Sequence, residues 1–316
     1  WKELVSEKLD SLTLQHFFTV ILSKQSKCEI FEELNVLGNE TDHARFISVA
    51  KPHTGDFLLA CPKTSCTTFK STEFIHAVRM RLGANLPSVP TRCSCAKRPV
   101  LDGKGTHLLS CAKGGTLIHR HNAIQQDVLV LATSAGVQAS ILSADVLLLN
   151  NAASDMRRGD LLLPEMGKDE RDLVVDFTIT HPTCPSYVSA TRNDPDSSIR
   201  RANNRKNLKY KDAAETQDKT FMPMALECYG ALSKDFLFVI NKLCEKRAKL
   251  TDTNSSVVMN YWYRRISCTL HKGNSRAISK RILDITQASY NLHDEYHDNM
   301  IDHEYNNIDT MISYRD

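Results

Sequence analysis

Two aspartates, Asp160 and Asp176, lie in neighbouring apolar segments and are suited to holding a metal ion together. Asp160 precedes the apolar run 161–163, and a charged, turn-like segment, 164–171, separates that run from the alternating run 173–180 that contains Asp176. This pattern predicts two strands joined by a hairpin. Carboxylates on adjacent strands can bind one hard divalent cation and leave room for phosphate and water. The alternative is that both aspartates are solvent-facing residues of half-buried strands.

A basic segment follows the second aspartate. Residues 199–216 predict a helix that carries Lys206 and Lys209 on one face, together with two alanines. The small alanines allow this helix to approach a sheet while the lysine ammonium groups reach over its edge. Residues 197–211 contain no acid, and their basic residues are Arg200, Arg201, Arg205, Lys206, Lys209 and Lys211. Such a run forms either a solvated face or a phosphate-binding surface with one lysine at the metal site.

A second group of metal-binding residue types lies upstream. Its members are Cys93, Cys95, His107 and Cys111. His107 and Cys111 are four residues apart, so they share a face if they lie on a helical turn. Two thiolates from a tight loop, with a histidine and a cysteine from a helix, predict a closed tetrahedral site of the structural zinc type. Unrelated reduced thiols and a surface histidine are the alternative.

The segment His119-Arg120-His121-Asn122 comes next and opens an amphipathic run that predicts a helix. Its two histidines either extend the zinc site, belong to a metal nuclease of the His-Asn-His type, or have a structural role. Asp127 lies on the same predicted helix. It is either an auxiliary metal ligand or, as the preferred interpretation, an exposed helix acid.

Three stretches, in this order, carry a resemblance to a known family: Gly159-Asp160, Asp176-x-Thr178 and Ala202-x-x-x-Lys206-x-x-Lys209-Tyr210. They resemble the restriction-like endonuclease domain of non-LTR retrotransposons, which belongs to the PD-(D/E)xK nuclease superfamily. The resemblance implies an α/β fold with a restriction-endonuclease-like mixed sheet flanked by helices. It also implies that Asp160 and Asp176 bind a catalytic Mg²⁺ or Mn²⁺, and that Lys206 or Lys209 is the catalytic lysine. Gly159 replaces the family's usual proline, and Thr178 stands where many members have their lysine.

The resemblance extends upstream of the two aspartates. The Cys-Cys-His-Cys order is similar to the zinc knuckle of these elements, Arg120-His121-Asn122 to the start of the first nuclease helix, and Arg79-Met80-Arg81-Leu82-Gly83 to the stretch between polymerase and knuckle. The implied organisation is a helical linker at 1–90, a zinc knuckle at 91–117, an endonuclease domain at 118–283 and an acidic, mobile tail at 284–316. The Tyr/Phe-x-Asp-Asp metal motif of a polymerase does not occur in this sequence.

The function that the resemblance implies is metal-dependent nicking of target DNA for retroelement integration by target-primed reverse transcription. The expected partners are DNA, the element RNA and the reverse transcriptase portion of a parent polyprotein. The residues expected to contact nucleic acid are Arg120, His121, Arg200, Arg201 and Arg205. Two alternatives stay open. One is a catalytically inactive, zinc-stabilised nucleic-acid-binding module, and the other is a structural domain that serves a larger polymerase.

Composition agrees with an intracellular, and on the family resemblance nuclear, protein. The 316 residues include 40 basic and 37 acidic side chains, which leaves a net charge of only +3. Nucleic-acid binding is therefore indicated by where the basic residues cluster and not by the total charge. Ten cysteines, three of them grouped with a histidine, favour metal binding in a reducing compartment over a disulfide framework. No apolar run is long enough to predict a membrane span.

Overall fold

Helices make up most of the described chain, and four strands form one small sheet. The computed structural model describes residues 14–37, 39–142 and 159–312. The helices are α1 (Leu14–Leu37), α2 (Glu40–Val49), α3 (Ser71–Leu82), α4 (Thr116–Ser134), α5 (Val188–Asn193), α6 (Ser197–Thr216), α7 (Lys234–Leu250) and α8 (Ser255–Ile312), with short 3-10 helices at Asp56–Leu59 and Lys168–Glu170. The strands are β1 (Ser140–Ile141), β2 (Leu161–Leu163), β3 (Leu173–Thr180) and β4 (Thr220–Glu227).

The sheet is mixed, with the strand order β1-β2-β3-β4. Strands β2 and β3 form the predicted antiparallel hairpin, with Leu161 opposite Val175. Strands β3 and β4 run parallel, with Asp176 opposite Pro223. A parallel pair needs a crossover connection, and α5 and α6 provide it. The predicted mixed sheet flanked by helices is confirmed.

Both faces of β3 are buried. Leu173, Val175 and Phe177 belong to the main hydrophobic core, to which α4, α7 and α8 contribute. Val174, on the opposite face, packs with Tyr210 of α6 in a separate cluster. Asp176 lies on the Val174 face and is only 4% exposed. The alternative that Asp176 is a solvent-facing strand residue is therefore wrong.

The helix bounds differ from the predicted ones where a local signal ends the helix. The apolar spacing of residues 71–86 predicts one helix, but α3 ends at Leu82, because Gly83 adopts φ +69 and its N–H bonds to the Met80 carbonyl. The apolar spacing of residues 3–26 also predicts a helix, and the part of it before Leu14 lies outside the described residues. The predicted mobile tail from residue 284 is helical as far as Ile312, because α8 runs through that boundary.

Helix α8 contacts all three predicted segments. From the N-terminal segment, His76 Nδ1 lies 2.9 Å from Ser275 Oγ, and the Phe57 N–H donates to Ser267 Oγ at 3.1 Å. From the knuckle segment, Cys93 Sγ accepts a hydrogen bond from Arg281. Helices α4 and α7 pack against the same helix through the main core. A search of the described helices for one that is long and apolar enough to cross a bilayer finds none.

Candidate active cleft and metal centre

The hairpin places Asp160 beside Asp176. The Asp160 N–H donates to the Val175 carbonyl at 2.7 Å, which extends the β2–β3 register by one residue. Asp160 Oδ2 accepts a hydrogen bond of 2.6 Å from the Phe177 N–H. These two bonds fix the Asp160 side chain against the strand that carries Asp176. The two residues that the sequence singles out therefore lie opposite each other across the two central strands of the sheet.

His121, from the first turns of α4, reaches the same carboxylate. Its Nε2 lies 2.9 Å from Asp160 Oδ2, and its Nδ1 lies 3.2 Å from the side-chain oxygen of Asn122. The hydrogen bond to Asp160 raises the pKa of His121 above its ordinary value, against the opposing effect of burial. A protonated His121 and a metal ion would therefore compete for Asp160.

Asp176 is paired with a lysine from α6. The Lys206 ammonium lies 2.6 Å from Asp176 Oδ2. Burial raises the pKa of Asp176, and the nearby charge of Asp160 adds to this effect, while Lys206 opposes it. A carboxylate this deeply buried needs a cationic partner to remain ionised. Lys206 provides that partner.

The structure separates the two candidate lysines. Lys206 lines the cleft in front of the sheet. Lys209 lies with its ammonium 4.8 Å from the centre of the Tyr210 ring, and that ring packs against Phe221 at 5.1 Å. The Lys206 ammonium lies 5.6 Å from the centre of the same ring and also contacts Asp176.

A cleft of about 740 Å³ opens between the start of α4, the hairpin and α6. The polar side chains that line it include His121, Asp160, Thr178, Arg205 and Lys206. Thr178 Oγ1 is buried and makes no hydrogen bond within the described part of the chain. Asp176 is buried and is not among the described residues that line the cleft, but it contacts Lys206, which does line it. The cleft can accept a phosphodiester beside a set of hard oxygen ligands.

Gly159 is explained by close packing. A Cβ at this position would collide with Val174 Cγ1 and approach the Val175 carbonyl oxygen to 3.0 Å. Any other residue here, proline included, would require the Val174 side chain or the backbone beside Asp160 to shift. The glycine is therefore compatible with an intact site.

The predicted nucleic-acid contacts fall into two environments. Arg120 is 5% exposed and donates to the Asn274 side-chain oxygen at 2.6 Å, which disfavours a surface role for its guanidinium. Arg200 pairs with Asp194, and Arg201 lies over the Tyr187 ring at 5.3 Å. Arg205 is exposed at the rim of the cleft.

Asp127 is neither an exposed acid nor close to the strand aspartates. It is buried and pairs with Arg265, whose Nη2 lies 2.8 Å from Asp127 Oδ1. The Thr269 hydroxyl donates to its other oxygen at 2.6 Å. The preferred interpretation of Asp127 as an exposed helix acid is wrong. The residue joins α4 to α8.

Upstream, four ligand atoms converge on one point. The side-chain ligand atoms of Cys93, Cys95, His107 and Cys111 all lie within 4.8 Å of one another. Cys93 Sγ and Cys111 Sγ are 3.8 Å apart, and Cys95 Sγ and His107 Nε2 are 3.5 Å apart. In a zinc tetrahedron with a Zn–S distance near 2.3 Å, the ligand atoms are separated by about 3.8 Å. The geometry fits zinc.

Turns rather than a helix position the second pair of ligands. In the first loop, the Cys93 N–H bonds to the Pro99 carbonyl and the Arg98 N–H bonds to the Cys95 carbonyl. Residues 106–110 form successive turns, with the Ser110 N–H bonded to the His107 carbonyl. The predicted helical turn at His107 is therefore wrong, although the predicted ligands do meet.

Arg281 of α8 is the residue at this centre that the sequence analysis did not find. It is 0% exposed, and its Nη2 donates to Cys93 Sγ and to Ser94 Oγ, each at 3.2 Å. Burial by itself would raise the pKa of Cys93, but hydrogen bonds, including that from Arg281, outweigh it and lower the pKa to about 6. Three thiolates around Zn²⁺ carry a net negative charge, which the guanidinium offsets.

Replacing Arg281 with methionine is therefore expected to weaken zinc binding. Loss of a second-layer partner of a ligand lowers metal affinity by about 10–100-fold. Competition with a chromophoric chelator measures the zinc dissociation constant. Arg276→Met, on the same helix but exposed, is the matched control. Equal zinc affinity in both variants would show that the hydrogen bond to Cys93 contributes nothing.

Comparison with known proteins gives no family assignment. No protein-family model matches this sequence, and no curated protein matches it. The resemblance to retrotransposon endonucleases therefore rests on the motif residues and on the site described above.

Proposed function

We propose that this protein is a metal-dependent endonuclease that nicks DNA in the cleft between α4, the β2–β3 hairpin and α6. The observation that carries the proposal is the pairing of Asp160 with Asp176 across the hairpin, beside Lys206 from the crossover helix. The structural elements occur in the same order as the sequence motifs. The hairpin carries Asp160 and Asp176, and helix α6, which carries Lys206, follows it. We also propose that the sheet and its flanking helices form a restriction-endonuclease-like fold.

Mg²⁺ or Mn²⁺ fits the oxygen donors of this site and, when bound, would supply a Lewis acid and a water of lowered pKa. Asp160 and Asp176 would hold it, and the unpartnered hydroxyl of Thr178 is a further oxygen donor in the same cleft. The Lys206 ammonium would stabilise negative charge that gathers on the phosphate during attack. Arg205 at the rim would bind a flanking phosphate.

The Lys206–Asp176 ion pair couples cation binding to lysine position. The ammonium contacts a carboxylate that would also hold the metal ion. Metal binding would release Lys206 from Asp176 and leave it close to the phosphate. The negative charge of Asp176 would then be balanced by Lys206 when the metal is absent and by the metal when it is bound.

The wider proposal is that the nick serves integration of a retroelement. The 3′-hydroxyl at the nick would prime reverse transcription of element RNA by a polymerase elsewhere in the parent polyprotein. The partners proposed are therefore DNA, element RNA and that polymerase, in the nucleus.

A second candidate is a catalytically inactive, zinc-stabilised nucleic-acid-binding module. The observation that favours it is that both carboxylates already have partners: Lys206 for Asp176, and His121 with the Phe177 N–H for Asp160. A site of this kind is stable without a divalent cation. The two candidates differ in whether Mg²⁺ changes the covalent state of bound DNA.

Nicking of supercoiled plasmid by the full chain distinguishes the endonuclease from the binding module, and it shows whether Lys206 or Lys209 takes part in the reaction. Lys206→Met is expected to lower the Mg²⁺-dependent rate by about 10²–10³-fold, as loss of one charge-stabilising donor does in other sites. Lys209→Met is the matched control, and it should retain most of the wild-type rate because it leaves the Lys206–Asp176 pair in place.

Two results decide against the endonuclease. Wild-type protein that binds plasmid tightly and with strong salt dependence, but leaves it uncut in Mg²⁺ and Mn²⁺, indicates the binding module. Equal nicking by wild type and Lys206→Met shows that the amine has no part in the reaction.

A further inference from the structure

A second cleft lies on the other side of α4 from the candidate active cleft. It has a volume of about 860 Å³ and is bounded by the first half of α4, by α8 and by the loop at Ser65 and Cys66. Arg120 lines both clefts. The charged side chains that line the second cleft are Arg120, Asp127, Lys272, Arg276 and Lys280. We call it the α4–α8 cleft.

Within the described part of the chain, two buried cations at this cleft have only neutral hydrogen-bond acceptors. Arg120 donates to the Asn274 side chain and to the Leu109 carbonyl. Lys272, which is 7% exposed, donates to the carbonyls of Ser65 and Cys66 at 2.6 and 3.0 Å. Removing a charge from water without an opposite charge in contact is unfavourable. An anion in the cleft would offset that cost.

The remaining charges offset these two cations only in part, because Asp127, whose charge acts on Lys272, is already paired with Arg265. Asp127 is the one acid among the described residues that line the cleft, and Arg265 holds it at 2.8 Å. Arg276 pairs with Glu73 at 3.3 Å, and the exposed Lys280 adds a further positive charge. The cleft therefore has an excess of positive charge.

Unpartnered polar atoms point to the same ligand. Thr116 Oγ1 and Arg120 Nε are buried and form no hydrogen bond with any described residue. Both residues line the cleft and are less than a tenth exposed. Thr116 is also the first residue of α4, a 19-residue helix with no acid in its first turn and no side-chain cap. A helix N-terminus of this kind favours an anion.

We infer that the α4–α8 cleft is an anion-binding site that takes a backbone phosphate of the nucleic acid whose other segment lies in the active cleft. The inference rests on the proposed function for the identity of the anion, because the first turns of α4 form a wall common to both clefts. A strand that crosses this wall places phosphates on both sides of it. Arg276 and Lys280 are the exposed residues available to contact the phosphate, and the buried Arg120 and Lys272 attract it from beneath.

Thiol footprinting tests the inference without any cleavage. Cys66 lines the cleft, whereas Cys61, five residues earlier, is exposed and lies outside it. Zinc-loaded full chain is alkylated with a maleimide, with and without a saturating duplex oligonucleotide, and each site is quantified by peptide mass spectrometry. We expect alkylation of Cys66 to slow several-fold while that of Cys61 is unchanged. An unchanged rate at Cys66, or no binding of the duplex at all, overturns the inference.

Salt dependence provides an independent measure. The logarithm of the binding constant falls linearly with the logarithm of the salt concentration, and each phosphate contact that is removed makes this slope less steep by about 0.9 for duplex DNA. Lys280→Ala is expected to show that change, and Lys249→Ala, an exposed lysine on α7, is the matched control. Equal slopes for wild type and Lys280→Ala contradict the assignment.

Two further measurements test whether this site is independent of nuclease activity and whether it binds nucleic acid rather than any free anion. Lys206→Met should lose nicking but keep the protection of Cys66, so failure of the nuclease proposal leaves this result unaffected. Inorganic phosphate at the same phosphate concentration should not protect Cys66. Protection by inorganic phosphate equal to that by the duplex shows a simple anion site and overturns the nucleic-acid assignment.

Discussion

Replacing Asp160 with asparagine is expected to reduce Mg²⁺-dependent nicking by about a thousandfold, since a metal-bound charge contributes several kcal/mol to the transition state and each 1.36 kcal/mol is a factor of ten. The amide keeps the local structure. The Phe177 N–H and His121 Nε2 both contact Asp160 Oδ2, so an amide oxygen in that place can accept the Phe177 N–H and a proton carried on His121 Nε2. Only the negative charge is lost.

The matched control is Asp169→Asn. Asp169 is an exposed acid in the loop between β2 and β3, and it has φ +53, a conformation that asparagine tolerates well. Thermal unfolding of both variants should stay close to that of the wild type. Plasmid nicking by Asp160→Asn at the rate of Asp169→Asn would show that Asp160 binds no catalytic metal, and the endonuclease proposal would fail.

The hairpin and the crossover helix could be predicted because their signals are local. The alternation in 173–180 and the turn before it determine which residues form β3 and where the chain reverses. One register then brings Asp160 next to Asp176. The alanines of the basic segment likewise predict the α6 face that packs on the sheet, and Ala202 and Ala213 are buried there. What the pattern could not give is which lysine reaches Asp176, because that depends on the rotation of α6 against the sheet.

The misplaced residues on α4 show a different limit. Ile124, Val128 and Leu131 form the buried stripe of this helix. Asp127 and Arg120 fall on the same stripe by their helical spacing, so the periodicity already places both charges on the buried face. The physical consequence is that each must have a polar partner. The partners, Arg265 and Asn274, are 138 and 154 residues away along the chain. Helical periodicity predicts such burial but not the partner.

Arg281 follows the same rule. It occupies a position between Ile278 and Ile285 on the buried face of α8. An arginine in an apolar stripe indicates a buried anionic or strongly polar partner. The sequence contains one group of thiols that could supply it, but the separation of 188 residues between Arg281 and Cys93 hides the pairing.

Removal of zinc is expected to unfold the knuckle segment and leave the sheet intact. Structural zinc contributes about 10–16 kcal/mol to folding in small peptide sites at neutral pH, which exceeds what the few buried residues near the site can supply. Cys93 and Cys111 pack in one cluster with Leu101, Leu108 and Ile278. The sheet belongs to a separate hydrophobic cluster. Loss of the metal therefore acts first on the knuckle and on the part of α8 that covers it.

Hydrogen exchange measured with and without a chelator locates the effect. The amides of Cys93 and Arg98, which bond to carbonyls within the knuckle, are expected to lose protection. The amide of Phe177 in β3 should stay protected. Zinc-replete Cys111→Ser should reproduce the chelated state, because serine replaces one of the four ligands, whereas Cys61→Ser, at an exposed thiol outside the cluster, should not. If Cys111→Ser still binds one zinc per chain and keeps the knuckle amides protected, the four side chains do not form the metal site, and Arg281 compensates only a thiolate.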